Sequence, residues 1–145
     1  MERQLIDEFV STGQIRIEYH HYIVVDGNVG GSESRRAAEA SECANEQGEF
    51  WNYHAMVFAN WNGEGQGAFS DRRLKAFAEK LGLDTGEFNA CFDSRRYASN
   101  VQADEALAQS LGVSGTPTLF VNDIRVQNPL NIEEYRALIP AALGQ

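Results

Sequence analysis

Three absences frame this chain of 145 residues. Its only cysteines, Cys43 and Cys91, stand 48 positions apart. That spacing lacks the close pairing of zinc ligands and argues against a metal centre. There is no excess of positive charge: 12 basic residues face 21 acidic ones, for a formal net charge of −9. Such a surface suits neither the phosphates of nucleic acid nor an anionic membrane. No apolar run approaches the ~20 residues that cross a bilayer. Met1-Glu2-Arg3-Gln4-Leu5 opens a charged amphipathic pattern rather than the apolar block of a signal peptide. The expectation is therefore a cytosolic protein, or a chain whose N-terminus as given is not the original one. Repeats, low-complexity tracts and linkers are also missing. Gly63, Gly65 and Gly67 make no phosphate loop, because no Lys-Ser/Thr follows them.

What is present reads as one domain with 43% hydrophobic residues, enough for a core. Leu5, Ile6, Phe9 and Val10 give a helical face over roughly 2–12, and Gly13 is its natural stop. Residues 14–25 are rich in β-branched and aromatic types and predict a strand. Ile15, Ile17 and Tyr19 fall on one face, opposite Arg16, Glu18 and His20. Asp26 to Ser32 reads as a loop. A long helical stretch follows from about 34 to 60, broken near Gly48. Its aromatics Trp51, Tyr53 and Phe58 read as core packing. Residues 62–67 are a second loop. Ser70 is positioned to cap the next helix, with Leu74, Phe77 and Leu81 inward. Asp84-x-x-Glu87 starts a short helix carrying Phe88, Cys91 and Phe92. A helix over about 94–111 turns Tyr97, Val101, Ala108 and Leu111 inward. Strands at 118–121 and 124–126 flank Asn122-Asp123, a dipeptide suited to a tight hairpin. Asn131-x-x-Glu134 starts a final helix with Tyr135, Leu138, Ile139 and Ala142 inward. The order predicts an α+β arrangement with helices on both sides of a sheet.

The stretch from Gly112 to Asn122, Gly-Val-Ser-Gly-Thr-Pro-Thr-Leu-Phe-Val-Asn, carries most of the information. On composition alone, Pro117 opens an edge strand through a trans bond, since only ~5–6% of X-Pro bonds in folded proteins are cis. As a whole string it resembles the cis-proline loop of DsbA-like thiol–disulfide oxidoreductases. Glu46-Gln47-Gly48-Glu49-Phe50-Trp51-Asn52-Tyr53-His54 resembles the start of the helical insertion of the same family. Ala90 to Tyr97 and the last helix are similar too, so the likeness covers about 5–143.

The resemblance implies an α/β, thioredoxin-like fold with an all-helical insertion. The thioredoxin parts would be about 1–26 and 113–145, and the insertion about 32–112. It implies dithiol–disulfide exchange on protein or peptide substrates, without cofactor or metal. Gly115, Thr116 and Pro117 would form the substrate-binding loop, where backbone can pair with an extended peptide. In one respect the chain departs from that pattern: it has no Cys-x-x-Cys, and no residue in it can take the nucleophile's role. The first helix looks like the second half of the family's active-site helix, so the family's dithiol would fall upstream of Met1 and a central strand would be missing. Activity of the chain as given is in doubt, and its standing as an enzyme is open. Cys43 and Cys91 are either two buried free cysteines or, as in some members of the family, a structural disulfide. The disulfide would imply an oxidising compartment, and the resemblance points to an exported protein, with the cytoplasm as the other option.

Other readings stay beside this one. A non-catalytic, chaperone-like module could keep the peptide-docking loop, and a glutathione-using transferase or isomerase ranks last. An apolar strand left without a neighbour recruits another chain. Dimerisation, strand swapping, or direct pairing of the first strand with the hairpin are the expected compensations. His20 and His21, adjacent on a strand, point to opposite faces and read as solvated or satisfied residues rather than a metal pair. Arg35-Arg36 and Arg95-Arg96 read as solvated helix faces.

Overall fold

The computed structural model describes residues 2–144, and these divide into two compact units, one of 20–112 and one of 2–19 with 113–144. The smaller unit begins with α1, Glu2–Leu5, which runs on into a π-helical turn, Ile6–Val10. Leu5 and Phe9 are buried on it. The hydroxyls of Ser11 and Thr12 donate to the carbonyls of Asp7 and Phe9, at 2.6 and 3.0 Å. Such side-chain bonds add to the backbone bonds at the helix end, where Phe9 O also accepts from Gln14 N at 3.0 Å. Gly13, at φ +72°, ends the segment.

The strand expected over 14–25 forms no ladder among the described residues. Its first half keeps the expected alternation of burial up to Glu18. Ile15 and Ile17 pack on the apolar cluster, while Arg16 and Glu18 are exposed and pair at 2.6 Å. Tyr19 departs from the pattern at 41% exposed. At its other end the segment turns helical as α2, Val25–Val29, where a loop was expected. Asp26 supplies the reason: its carboxylate accepts from the backbone N–H groups of Ser34 and Arg35, both at 2.9 Å. The turn is thereby folded onto the start of the next helix, where N–H groups lack partners within the helix.

The sheet found has two strands, β1 (Phe120–Val121) and β2 (Ile124–Arg125). They are antiparallel, with Phe120 opposite Arg125 and Val121 opposite Ile124. The N–H of Val126 donates to Leu119 O at 2.9 Å, extending the pairing by one position. Asn122 sits at φ +51°, a region asparagine tolerates in tight turns. Helix α8, Ile132–Ala142, is capped by Asn131, which accepts from Glu133 N. It buries Tyr135 and Ile139 with Leu5, Phe9 and Val126, whereas Ala142 is exposed.

The larger unit is a helical assembly around α3, Glu33–Asn45. Small residues at Ala37, Ala40 and Ala44 let it sit against α4 (Phe50–Ala59), α5 (Asp71–Lys80) and α6 (Thr85–Asp93). Gly48, at φ +75°, makes the expected break between α3 and α4. Tyr53, Leu74, Phe77, Phe88 and Phe92 fill the core. Tyr53 is fully buried, and its hydroxyl donates to Leu74 O at 2.9 Å. Trp51 and Phe58, read as core aromatics, are 41% and 64% exposed. Helical spacing alone does not say which side of a helix has neighbours. Asp84 caps α6 through Gly86 N and Glu87 N. Ser70 occupies the cap position of α5 without a side-chain cap bond. The last helix of this unit, α7, spans Ala98–Ser110 and starts later than expected. Arg95 interrupts the run at φ +53°, with its guanidinium on Glu39 at 2.7 Å. Leu111, expected inward, is 52% exposed.

Candidate functional site

The loop singled out in the sequence lies in the smaller unit, directly before β1. Gly112, at φ +68°, turns the chain out of α7, and the Thr116–Pro117 bond is cis. Thr116 and Pro117 are exposed and Gly115 is half-buried. Thr118 Oγ1 donates to Gly115 O at 2.7 Å and closes the turn across the proline. A cavity of about 360 Å³ opens beside it, lined by Pro117, Thr118, Arg125, Val126, Gln127 and Pro129.

Two side chains of α8 hold the far wall of this cavity. The Glu134 carboxylate accepts from Gln127 N at 2.6 Å and Asn128 N at 2.7 Å. Those backbone bonds hold its pKa below the ordinary glutamate range. Tyr135 donates its hydroxyl to Pro129 O at 2.8 Å. Fixed backbone, an exposed proline and an open groove are what docking of an extended segment needs. The sequence marked Glu134 only as a capping residue. Its carboxylate instead serves the segment before the helix, a role with no sequence signal.

Cys43 and Cys91 belong to the other unit. They form a disulfide between α3 and α6, with S–S 2.01 Å and Cα–Cα 5.8 Å, and are 1% and 0% exposed. A buried disulfide offers no path for in-line attack by a thiolate.

Charged residues in the larger unit are arranged for structure. Arg36, read as solvated, is 8% exposed. Its guanidinium donates to Asp71 (3.0 and 3.1 Å), to Glu39 (2.7 Å) and to Phe92 O (3.3 Å), and lies 3.7 Å above the Phe92 ring. Glu39 is 1% exposed and also takes Arg95. Burial pushes the Glu39 carboxyl up, but hydrogen bonds from Arg95 and Arg36 outweigh it and hold the pKa low. Arg96 pairs with Glu46 at 2.7 Å. The sequence held little signal for the buried acid: Glu39 stands in the run Ala37-Ala38-Glu39-Ala40, but consecutive residues point round the helix and do not mark one buried face.

Asp104 gathers the histidine pair. One oxygen meets His20 Nδ1 at 2.8 Å and the other accepts from His21 N at 2.9 Å. His21 Nε2 lies 2.9 Å from Glu42 Oε1. Among the described residues no group of three or more His, Cys, Asp or Glu could hold a metal ion, and no helix is long and apolar enough to cross a membrane.

A family model described as thioredoxin matches residues 1–141. A Salinispora tropica protein named Na(+)/H(+) antiporter NhaA 3 is 34% identical over 142 residues, 98% of this chain and 20% of that protein. A Herminiimonas arsenicoxydans protein named Na(+)/H(+) antiporter NhaA is 35% identical over 106 residues, 73% of this chain and 16% of that protein. Disulfide bond formation protein D of Bacillus subtilis is 27% identical over 141 residues, 94% of this chain and 60% of that protein. The chain thus spans about a fifth of the antiporter-named relative from Salinispora tropica.

Proposed function

Since the chain belongs to the DsbA-like thioredoxin family, with a thioredoxin-like fold and a helical insertion, we propose that it supplies the polypeptide-docking part of a thiol–disulfide exchange module. In that exchange a thiolate attacks one sulfur of a disulfide. A new S–S bond forms, the old one breaks, and its electron pair leaves on the second sulfur as a thiolate. Gly115, Thr116 and Pro117 are assigned to holding the substrate backbone. The supporting observation is the exposed Thr116–Pro117 turn beside its 360 Å³ cavity. The exchanging dithiol is assigned to residues other than these 145, because the two sulfurs present are bonded to each other and buried. The buried disulfide supports an extracytoplasmic setting, and the antiporter-named relatives support attachment to a membrane protein. Family membership favours this reading over a purely chaperone-like module.

The test has two readouts. Titration of the chain with an extended peptide should move the amide signals of Gly115, Thr116 and Thr118. Shifts confined to other residues would overturn the docking assignment. In an insulin-reduction assay the same chain should give no turnover. Robust turnover would overturn the placement of the dithiol.

A further inference from the structure

A second surface, in the larger unit, has the character of a binding site and plays no part in the reading above. Phe58 near the end of α4 is 64% exposed, and Trp61, one turn later, is 61% exposed. The Trp61 N–H donates to Phe58 O at 3.4 Å, so the two belong to one turn. Phe58 also continues a row along α4, with its ring 4.6 Å from His54, which lies 5.7 Å from Trp51. Neighbouring exposed aromatics are characteristic of interaction surfaces.

Three residues past Trp61, Glu64 lines a cavity of about 390 Å³ together with Val25, Asp26, Val29, Glu33 and Gln66. Three residues of chain reach at most about 11 Å, so the Glu64 rim of the cavity lies within that reach of Trp61. The lining includes three carboxylates and no lysine or arginine. Two of them are fixed in place. Asp26 accepts from Ser34 N and Arg35 N, and Glu33 from Gly67 N and Phe69 N at 2.8 and 3.2 Å. Glu64 is exposed at the rim.

We propose that this surface docks a polypeptide segment in which a lysine or arginine stands between apolar residues. The cation enters the acidic cavity, and its apolar neighbours cover Phe58 and Trp61. Charge complementarity selects the partner: a cavity edged by carboxylates, on a chain of net charge −9, favours a cationic segment and repels an acidic one.

Fluorescence anisotropy on the full chain tests this, with a labelled ten-residue peptide of leucine, lysine, glycine and serine and a twin carrying glutamate for lysine. The lysine peptide should bind about tenfold more tightly or better. Phe58→Ser and Glu64→Gln should each weaken it severalfold, and both sites are exposed enough to leave the fold intact. Trp51 and Trp61, the only two tryptophans, should shift their emission to the blue on binding. Equal affinity for the two peptides would overturn the proposal. So would binding that survives Phe58→Ser, or that is lost with Pro117→Ala instead, which would place the peptide on the proline loop. A wild-type dimer in sedimentation that Phe58→Ser converts to monomer would give the face to a second copy and overturn it too.

Discussion

The two units of this chain hold their side chains by different means. The larger unit ties α3 to its neighbours with a disulfide, a buried Arg36–Glu39 pair extended by the more exposed Arg95 and Asp71, and an aromatic core. The smaller unit relies on Leu5, Phe9, Val126, Tyr135, Ile139 and their partly buried neighbours, with a hairpin of two residues per strand. Two-stranded hairpins alone are marginal in water, so this unit depends on side-chain anchors such as Glu134 and Tyr135. The candidate docking loop sits in the lightly built unit, as expected for a site that must accommodate different segments.

The strongest way to break this contrast is to remove the disulfide. Closing a 48-residue separation stabilises by about 4 kcal/mol in the chain-entropy model. The double substitution Cys43→Ala with Cys91→Ala should cost about that much for the helical unit. Native-state hydrogen exchange should show faster opening of α3 and α6, with the amides of β1, β2 and α8 little changed. Equal loss in both units would end the distinction.

The ion network comes next. Glu39→Gln removes the charge shared by Arg36 and Arg95, and breaking a buried pair costs about 3 kcal/mol. The pH dependence follows from the sign of the shift. The Glu39 carboxyl titrates lower when folded than when unfolded. The unfolded state therefore takes up the proton first, at about pH 4.3. The stabilisation is fully present above that pH and is lost as pH falls through the depressed folded value. Denaturant midpoints measured between pH 6 and pH 3 should fall more steeply for the wild type than for Glu39→Gln. Parallel curves would remove Glu39 from the account.

A smaller effect sharpens the other side. Tyr135→Phe keeps the ring and deletes the bond to Pro129 O. Loss of one such bond costs about 1 kcal/mol, read from the denaturant midpoint of the smaller unit. The variant should also weaken peptide binding at the proline loop, because Pro129 lines its cavity.

How much of this was legible beforehand varies with the physics involved. Elements marked by local chemistry came through: Gly48 between α3 and α4, Asp84 capping α6, Asn122-Asp123 in the hairpin, and the strings that carry the family resemblance. Features fixed by partners distant in sequence did not. The strand expected over 14–25 has β-forming residues, but a strand exists only where a neighbour accepts its hydrogen bonds. Among the described residues no ladder includes it. Trp51 and Phe58 have the spacing of a core stripe, yet both are substantially exposed. Arg36 looks solvated until Asp71, 35 residues on, supplies a carboxylate. Within the candidate docking loop, Gly115 to Pro117 could be picked out by residue type, whereas the support from Glu134 and Tyr135 could not.

Glu134 gives the finest test of how the loop is held. Its lowered pKa comes first from the N–H of Gln127 and then from Asn128. Those bonds are strongest with the charged carboxylate as acceptor. As pH falls the ordinary glutamate value, about 4.3, is passed first with the anchor intact. Only at the lower folded pKa should the carboxyl protonate, losing the charge that strengthens both bonds and turning one of its two oxygens into a donor. Amide NMR should show Gln127 and Asn128 titrating together, with one midpoint below 4.3. In Glu134→Gln that titration should vanish while the signals of α6 keep their own acid behaviour. A midpoint at or above 4.3 would mean that the carboxylate does not anchor the segment, and the cavity beside Pro117 would then lack its fixed wall.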